Sequence, residues 1–343
     1  MPWSMVWSTD GWLPAALNAG FTYRDRVAAP MESTAAFYAA RHPHSPLTVW
    51  RARLAAGEIW RNGAPLDGDG PLQAGDHLLW HRPPWREEAV PGRWRVVHDD
   101  GDLLVIDKPS GLPVLPAGGW LDHTVLRLLE RRHQRDPAGV PRPVHRLGRF
   151  TSGLLVCARQ AASRSWLSAR LRESTAAPGP PEGPTREGGP PLCRKIYDAL
   201  LAPGGLPATL APGEALTVTT AIGRRPHRRL GWIWCAALTE RPGDLAARSQ
   251  LTLLERSPDG DRVEVAIASG RPHQIRIHCA ALGAPLLGDP LYLPGGLARE
   301  EGLPGEGGYQ LRARRLELSR PDGSRLCLEA GGQPLGGLAG SRP

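Results

Sequence analysis

The segment PVHRLGRFTSGLLVCAR, residues 143–159, collects polar side chains directly before an apolar run. Arginine offers planar, bidentate donors that suit phosphate groups and bases. Ser152 and His145 are also the residue types of a hydrolase pair, but neither a G-x-S-x-G turn nor a third partner accompanies them. We therefore discount a hydrolase. The polar side chains of this segment belong to His145, Arg146, Arg149, Thr151 and Ser152.

Two later segments repeat this combination of polar side chains in apolar surroundings. In RKIYDALL, Lys195 and Tyr197 alternate along a predicted strand, so both side chains share one face. In SGRPHQIRIHCAALGAPLLGDPLY, His273 and Arg276 lie three residues apart and share the face of a predicted helix. The histidines of these segments lack the spacing of a metal site, and we expect them to be structural.

The charge of the chain favours a nucleic-acid partner. Its 343 residues carry a formal net charge of +8, and the sequence pI is about 9.8. Arginine supplies nearly all of the excess, and a basic surface of this kind attracts phosphates. Composition leaves a second explanation equally open, namely a GC-rich genome that encodes arginine in place of lysine.

The five cysteines are scattered and odd in number, and none shows C-x-x-C spacing. This pattern argues against a disulfide framework and against a thiolate zinc site. The N-terminus lacks a signal peptide pattern, and no apolar run reaches the length of a membrane span. We therefore expect a cytoplasmic protein with no membrane partner.

The elements that must position these residues fall into two regions. Residues 1–92 form the first region. Eight of the twelve tryptophans fall within the first 94 residues of the chain. A helix ending at Gly57 and a hairpin turn at Asn62-Gly63 are predicted there. The Pro-rich and charged stretch 81–93 has the composition of a linker.

The second region, residues 93–328, has the pattern of an α+β domain. Hairpin turns are predicted at Asp100-Gly101 and Asp259-Gly260, and amphipathic helices over 162–174 and 272–282. Strands outnumber helices and follow one another in hairpins, which favours a mainly antiparallel sheet with flanking helices and a central cleft. Low-complexity composition predicts a flexible loop over 175–191 and a flexible tail over 329–343.

The three polar segments, in this order, resemble the signatures of the RluA-type pseudouridine synthases. Those signatures read H-R-L-D-x-x-T-S-G-L-L, K-x-Y-x-A, and G-R-T-H-Q-I-R-x-H followed by G-D-x-x-Y. LLVIDKPSGLPVLP, residues 103–116, is similar to the opening segment of that family. The resemblance spans residues 94–318, and residues 47–88 resemble the S4-type RNA-binding module that often precedes this domain. It implies a pseudouridine synthase fold and an isomerase that needs no metal or cofactor.

The resemblance also implies a role for individual residues. Tyr197 matches the tyrosine that packs against the flipped uracil, and Arg276 matches the arginine that pairs with the catalytic aspartate. Arg146 matches the residue that enters the position vacated by the flipped base. The same segments imply an RNA-binding role for His145, Arg149, Thr151, Lys195 and His273. The implied partner is structured RNA, either rRNA or tRNA, bound by a monomer.

Gly148 stands where the family has its catalytic aspartate. Two alternatives follow: the chain is a catalytically inactive RNA-binding paralogue, or a carboxylate from elsewhere reaches the space above Gly148. Asp198 neighbours Tyr197 on a strand and should point to the opposite face. Glu264 and Asp122 stay open as substitute acids. Pro272, which replaces the usual Thr or Ser, is compatible with the first turn of a helix.

Overall fold

A computed structural model gives the architecture and describes residues 6–8, 13–173, 193–267, 270–331 and 335. The predicted flexible loop over 175–191 lies outside the described residues, as does most of the predicted tail. In chain order the described elements are β1 (Val6–Ser8), β2 (Phe21–Arg26), α1 (Thr34–Arg41), α2 (Leu47–Ala55), β3 (Ile59–Arg61), β4 (Ala64–Pro65), β5 (His77–Arg82), β6 (Arg93–Asp99), β7 (Leu103–Lys108), α3 (Val125–Arg132), β8 (Arg142–Pro143), β9 (Thr151–Ala158), α4 (Ala161–Glu173), β10 (Cys193–Leu201), β11 (Ala215–Val218), β12 (Ile222–His227), β13 (Gly231–Ala236), β14 (Ser249–Ser257), β15 (Gly260–Ile267), α5 (Gln274–Ala281), β16 (Leu311–Ser319) and β17 (Arg325–Glu329).

The chain divides into two compact units. The smaller unit comprises residues 14–88 together with 226–233, the tip of the hairpin formed by β12 and β13. The larger unit takes the rest, including β1, which pairs with β6. The sequence predicted a division between residues 92 and 93 and gave no sign that the hairpin tip would belong to the smaller unit. That the smaller unit is S4-like stays a prediction.

The smaller unit is built on a core of aromatic rings. Tyr38 and Trp50 stack with their ring centroids 4.6 Å apart, and Trp80 meets Trp50 edge-on at 4.8 Å. The Arg53 guanidinium lies 4.3 Å from the Trp50 ring and 4.4 Å from the Trp80 ring. Such rings bury a large apolar area, which explains why the tryptophans are concentrated in this part of the chain.

The larger unit carries an 11-stranded sheet whose described pairings are antiparallel except for one. The exception is the pair β9 and β16, which run parallel. The predicted hairpins form with Gly101 at φ 92° between β6 and β7, and with Gly260 at φ 148° between β14 and β15. These features confirm the prediction of an α+β fold with a mainly antiparallel sheet and flanking helices.

The central strands separate an apolar face from a charged one. Tyr197 on β10 pairs with Ala313 on β16, and Ala313 pairs with Gly153 on β9, so these positions lie in one row across the sheet. The face that carries this row packs on Ile275 and Cys279 of α5.

No helix in the described part of the chain is long and apolar enough to cross a membrane.

Candidate active site at the start of two parallel strands

The site forms where β9 and β16 begin side by side. Thr151 pairs with Leu311 and Gly153 with Ala313, although the partners are about 160 residues apart in the chain. Gly153 has φ +98°, and a β-carbon there would overlap the Ala313 carbonyl, so only glycine allows this close approach. The pairing sets the loop before β9 directly beside the residues before β16.

Gly148 and Tyr309 are the residues that meet at this point. Gly148 is exposed and does not have a positive φ, so a side chain would not be strained by the backbone. A β-carbon built on Gly148 would overlap the Tyr309 hydroxyl, and its next neighbour would be Thr151 Oγ1 at 3.3 Å. Thr151 Oγ1 and Tyr309 Oη are 3.4 Å apart and form a hydrogen bond. The first atom in the space above Gly148 is therefore a phenolic oxygen and not a carboxylate.

Arg276 has its carboxylate partner in Asp289. Arg276 Nε donates to Asp289 Oδ2 and Nη2 donates to Oδ1, both at 2.7 Å, and Nη1 donates to the Pro304 carbonyl at 3.0 Å. Burial, the largest single influence, lowers the pKa of Arg276, but the hydrogen bonds and the negative charge of Asp289, together with smaller contributions from Tyr309 and Tyr292, raise that pKa overall. Asp289 belongs to the segment GDPLY, which matches the G-D-x-x-Y signature and is distinct from the catalytic aspartate of the H-R-L-D signature.

Tyr309 connects Arg276 with Gly148. The Arg276 guanidinium carbon lies 4.2 Å from the centre of the Tyr309 ring, a cation–π distance. The Tyr309 side chain is only 2% exposed and also meets Phe150, with the ring centroids 5.9 Å apart. Sequence reasoning missed Tyr309, since its partners come from distant segments. The one available signal was a tyrosine directly before the segment QLRARRLEL, at the end of the resemblance.

His273 is held in an uncommon backbone conformation at the N-terminus of α5. Its φ is 53°, in the left-handed region, so Pro272 precedes the helix instead of lying in its first turn. The hydroxyl of Tyr292 donates to the Trp234 carbonyl at 2.8 Å, and His273 Nδ1 therefore donates to Tyr292 Oη at 2.7 Å. Burial, followed by the charge of Arg276, lowers the pKa of His273 to about 3.

Arg146 and Tyr197 are the two remaining residues with roles implied by the resemblance. Arg146 is exposed, and its charge is among those that lower the pKa of His273, which brings it within electrostatic range of α5. Tyr197 is half-buried and packs on both apolar clusters of the larger unit, one of which contains Tyr309. Burial raises the pKa of the Tyr197 hydroxyl, so this ring stays neutral.

The backbone of the loop around Gly148 is fixed by hydrogen bonds from side-chain nitrogens. Lys108 Nζ donates to the carbonyls of Pro109, Leu112 and Arg149 at 2.8–3.0 Å. Arg149 Nε donates to the Gly111 carbonyl at 3.0 Å, and its guanidinium lies 3.9 Å from the Trp120 ring. The two side chains thus join the loop to the segment that follows β7.

His145 and Lys195, for which the resemblance implies RNA binding, also contact the protein itself. The Val156 amide donates to His145 Nε2 at 3.0 Å, and burial lowers the pKa of His145 to about 3. Lys195 Nζ donates to the Leu171 carbonyl at 3.1 Å. Burial lowers the pKa of Lys195. These bonds attach the loop to β9 and attach β10 to α4. An RNA-binding role for either side chain stays a prediction.

Two of the carboxylates considered as substitutes are engaged on the charged face of the sheet. Asp198 Oδ1 lies 3.0 Å from Arg314 Nε in an ion pair, and Glu264 Oε2 accepts from Nη2 of the same arginine. Asp198 therefore faces away from Tyr197, as the alternation along β10 predicts. Within the described residues, no group of three or more His, Cys, Asp or Glu side chains is placed to hold a metal ion.

Comparison with known proteins identifies relatives that cover most of the chain. Residues 102–177 match the family described as RNA pseudouridylate synthase. An uncharacterized RNA pseudouridine synthase of Synechocystis sp. is 41% identical over 282 residues, which cover 82% of this chain and 87% of that protein. RNA pseudouridine synthase 5 of Arabidopsis thaliana is 34% identical, with 88% and 89% covered. Ribosomal large subunit pseudouridine synthase D of Pseudomonas aeruginosa is 30% identical, with 73% and 69% covered.

Proposed function

This chain belongs to the RNA pseudouridine synthase family, an isomerase class, and we propose that it isomerises uridine within structured RNA by base flipping. One observation carries the proposal. Arg276, Tyr309 and the loop at Gly148 come together beside the row of Tyr197, although the sequence spreads them over some 160 residues. The reaction breaks the N1–C1′ bond and joins C5 to C1′, so the base must leave its stack before it reacts.

Two side chains are suited to handle the flipped nucleotide. Tyr197 presents a neutral, half-buried ring, and a flat ring can stack on any base. Arg146 projects from the exposed loop two residues before Gly148, where a guanidinium can stack on neighbouring bases or bind phosphate. We assign Tyr197 to the uracil and Arg146 to the position that the base leaves.

A second RNA contact is proposed for the smaller unit. Residues 14–88 contain eight arginines and eight acidic residues, so this segment has no net charge. Its positive excess comes from the hairpin tip, where Arg228 and Arg229 are exposed and Trp232 is 45% exposed. Arginine beside an exposed indole combines phosphate binding with base stacking. Just outside the tip, Arg225 is held by Asp244 at 2.8 Å on both oxygens.

We also propose a class of RNA substrate and a cellular compartment for this protein. The name of the Pseudomonas relative places its activity on the large ribosomal subunit, which supports rRNA over tRNA as the first substrate to test. The described cysteines are all free thiols, four of them buried. Free thiols suit a reducing compartment, and we propose that the protein acts as a monomer in the cytoplasm with the smaller unit as an S4-like RNA-binding module.

Tritium release tests this function. Ribosomal or transfer RNA carrying tritium at C5 of uridine is incubated with the full chain, and released tritium is counted over time. We expect release from one of the two RNA classes. Tyr197→Ala should slow release by about 10-fold to 100-fold because base stacking is lost, whereas Tyr197→Phe should keep most of the rate. Absence of release from both RNA classes would reject the proposal.

A further inference from the structure

We propose that Tyr309 is the proton-exchanging catalytic residue of this enzyme and acts from the space that the family's aspartate side chain would fill. The inference rests on the proposed function, because it assumes that the reacting ribose approaches Gly148. Three observations support it. They are the position of the Tyr309 hydroxyl, the positive charge above the Tyr309 ring, and the hydrogen bonds that hold Asp289, the acid nearest to Arg276, away from Gly148.

The position of the hydroxyl is the first observation. The Tyr309 ring is buried, yet its oxygen lies so close to the exposed Gly148 that a β-carbon there would overlap it. A residue at position 148 with any side chain would displace this hydroxyl. Glycine at 148 and tyrosine at 309 are therefore mutually compatible, and the phenolic oxygen lies directly next to the exposed Gly148. Thr151 Oγ1, 3.4 Å away, is the hydrogen-bonding neighbour that orients it.

The charge on Arg276 is the second observation. A guanidinium 4.2 Å from the ring centroid attracts the electron density of the ring and stabilises negative charge on it. This favours a phenolate that exists only during the reaction. Tyrosine is among the side chains that serve as general acids and bases.

Asp289, the acid nearest to Arg276, supplies the third observation. Its Oδ2 accepts from Arg276, and its Oδ1 accepts from Arg276 and from the amides of Leu291 and Tyr292 at 2.7–3.2 Å. A carboxylate with four donors on its two oxygens is fixed in place and fully buried. It holds Arg276 and does not reach the space above Gly148.

The step balances without any further reactant. As the N1–C1′ bond breaks, its electron pair stays on the uracil, and the Tyr309 hydroxyl gives its proton to the base. The base turns, C5 forms the new bond to C1′, and the C5 proton passes to the Tyr309 phenolate. One carbon–nitrogen bond is lost, one carbon–carbon bond is gained, and one proton moves from carbon to nitrogen through Tyr309.

Single-turnover tritium release with Tyr309→Phe tests the assignment, with RNA binding and the unfolding midpoint measured in parallel. The Phe variant keeps the ring, its packing and the cation–π contact, and lacks the proton. We expect the rate to fall by about 100-fold to 10,000-fold while the Kd for RNA stays within about twofold. Tyr38→Phe is the matched control, because the Tyr38 hydroxyl is buried in the smaller unit without a hydrogen-bond partner. It should react like the wild type.

Gly148→Ala supplies a second test that leaves Tyr309 intact. Its methyl group would push the hydroxyl away from the reacting position, so the rate should also fall while RNA binding is kept. A folded Tyr309→Phe or Gly148→Ala protein that reacts at the wild-type rate would overturn the assignment and leave the proposed function standing. A wild-type protein that releases no tritium would overturn both.

Discussion

Arg276 and Asp289 form a bidentate ion pair whose side chains are 4% and 0% exposed. The resemblance implies that the arginine at this position orients a catalytic aspartate. In this chain Arg276 is itself oriented by Asp289, a buried structural residue. Its guanidinium keeps its place whether or not position 148 carries a carboxylate. This explains how the pocket can keep its shape around a glycine.

Breaking that pair should be costly. Asp289→Asn leaves a buried guanidinium without its counter-charge, and the free energy of unfolding should drop by about 3–5 kcal/mol. Urea denaturation of the full chain measures the change. Glu255→Gln is the control, since Glu255 is 61% exposed in its pair with Arg262 and should change the free energy by no more than about 1 kcal/mol. Equal effects of the two substitutions would contradict the burial argument.

A side chain in the space above Gly148 should destabilise the fold as well as slow the reaction. Gly148→Ala sets a methyl group against the Tyr309 hydroxyl, and we expect the free energy of unfolding to fall by about 1–3 kcal/mol. Gly70→Ala is the matched change, because a β-carbon there meets nothing within 4 Å and the residue lacks a positive φ. If both variants unfold at the same denaturant concentration, Tyr309 is not packed as described.

Acid should destabilise the larger unit through its buried histidines. Burial, the largest cause in each case, lowers the pKa of His145 and His273 to about 3 and that of His278 to about 4, below the ordinary 6.5. The unfolded chain therefore binds more protons between pH 6.5 and about 3. Stability is fully present above pH 6.5 and falls as the pH drops, by up to about 1.4 kcal/mol per pH unit for each histidine.

The contribution of a single histidine can be isolated. His273→Asn suits the left-handed backbone of that position and removes one of the three titrating groups. Between pH 6 and pH 4, on the order of one proton fewer should be taken up on unfolding, and the dependence of the unfolding free energy on pH should be shallower. The same substitution at the partly exposed His98 is the control. A slope unchanged from wild type in His273→Asn would refute the assignment.

Salt should weaken RNA binding if the hairpin tip contacts phosphates. Replacing Arg228 and Arg229 by alanine should lower affinity at low salt and reduce the slope of log K against log salt by about one for each phosphate that is no longer bound. Arg320→Ala/Arg325→Ala removes the same charge from the turn between β16 and β17, where these arginines pair with Asp100 and Glu317. A slope reduced equally by both double variants would show a general charge effect and not a local contact.

Sequence reasoning succeeded where the signal is local. The turns at Asn62-Gly63 and Asp100-Gly101 are fixed by residues that accept positive φ, and they form where predicted. The alternation along β10 correctly placed Tyr197 and Asp198 on opposite faces. Two short strands of the large sheet, β1 and β17, were not predicted, because each depends on a partner strand more than on its own pattern.

The composition of the site was harder to predict for the same reason. The neighbour of Gly148 is 161 positions away in the chain, and no periodicity relates the two residues. The partner of Arg276 could not be predicted, because the resemblance supplies a catalytic aspartate that Gly148 replaces, and Asp289 belongs to a different signature, G-D-x-x-Y. Pairwise contacts of this kind become visible only when the parallel register of β9 and β16 is known.

The parallel pairing of β9 with β16 also determines the stage of synthesis at which the active site can first form. During synthesis the loop at Gly148 leaves the ribosome long before Tyr309 does, and β9 has to wait for β16 on one of its sides. Until Tyr309 and β16 have emerged, no hydroxyl occupies the space above Gly148. A nascent chain, or one shortened before Tyr309, can thus expose the RNA-handling loop without being able to modify the RNA, and the chemistry begins only once β16 has paired with β9.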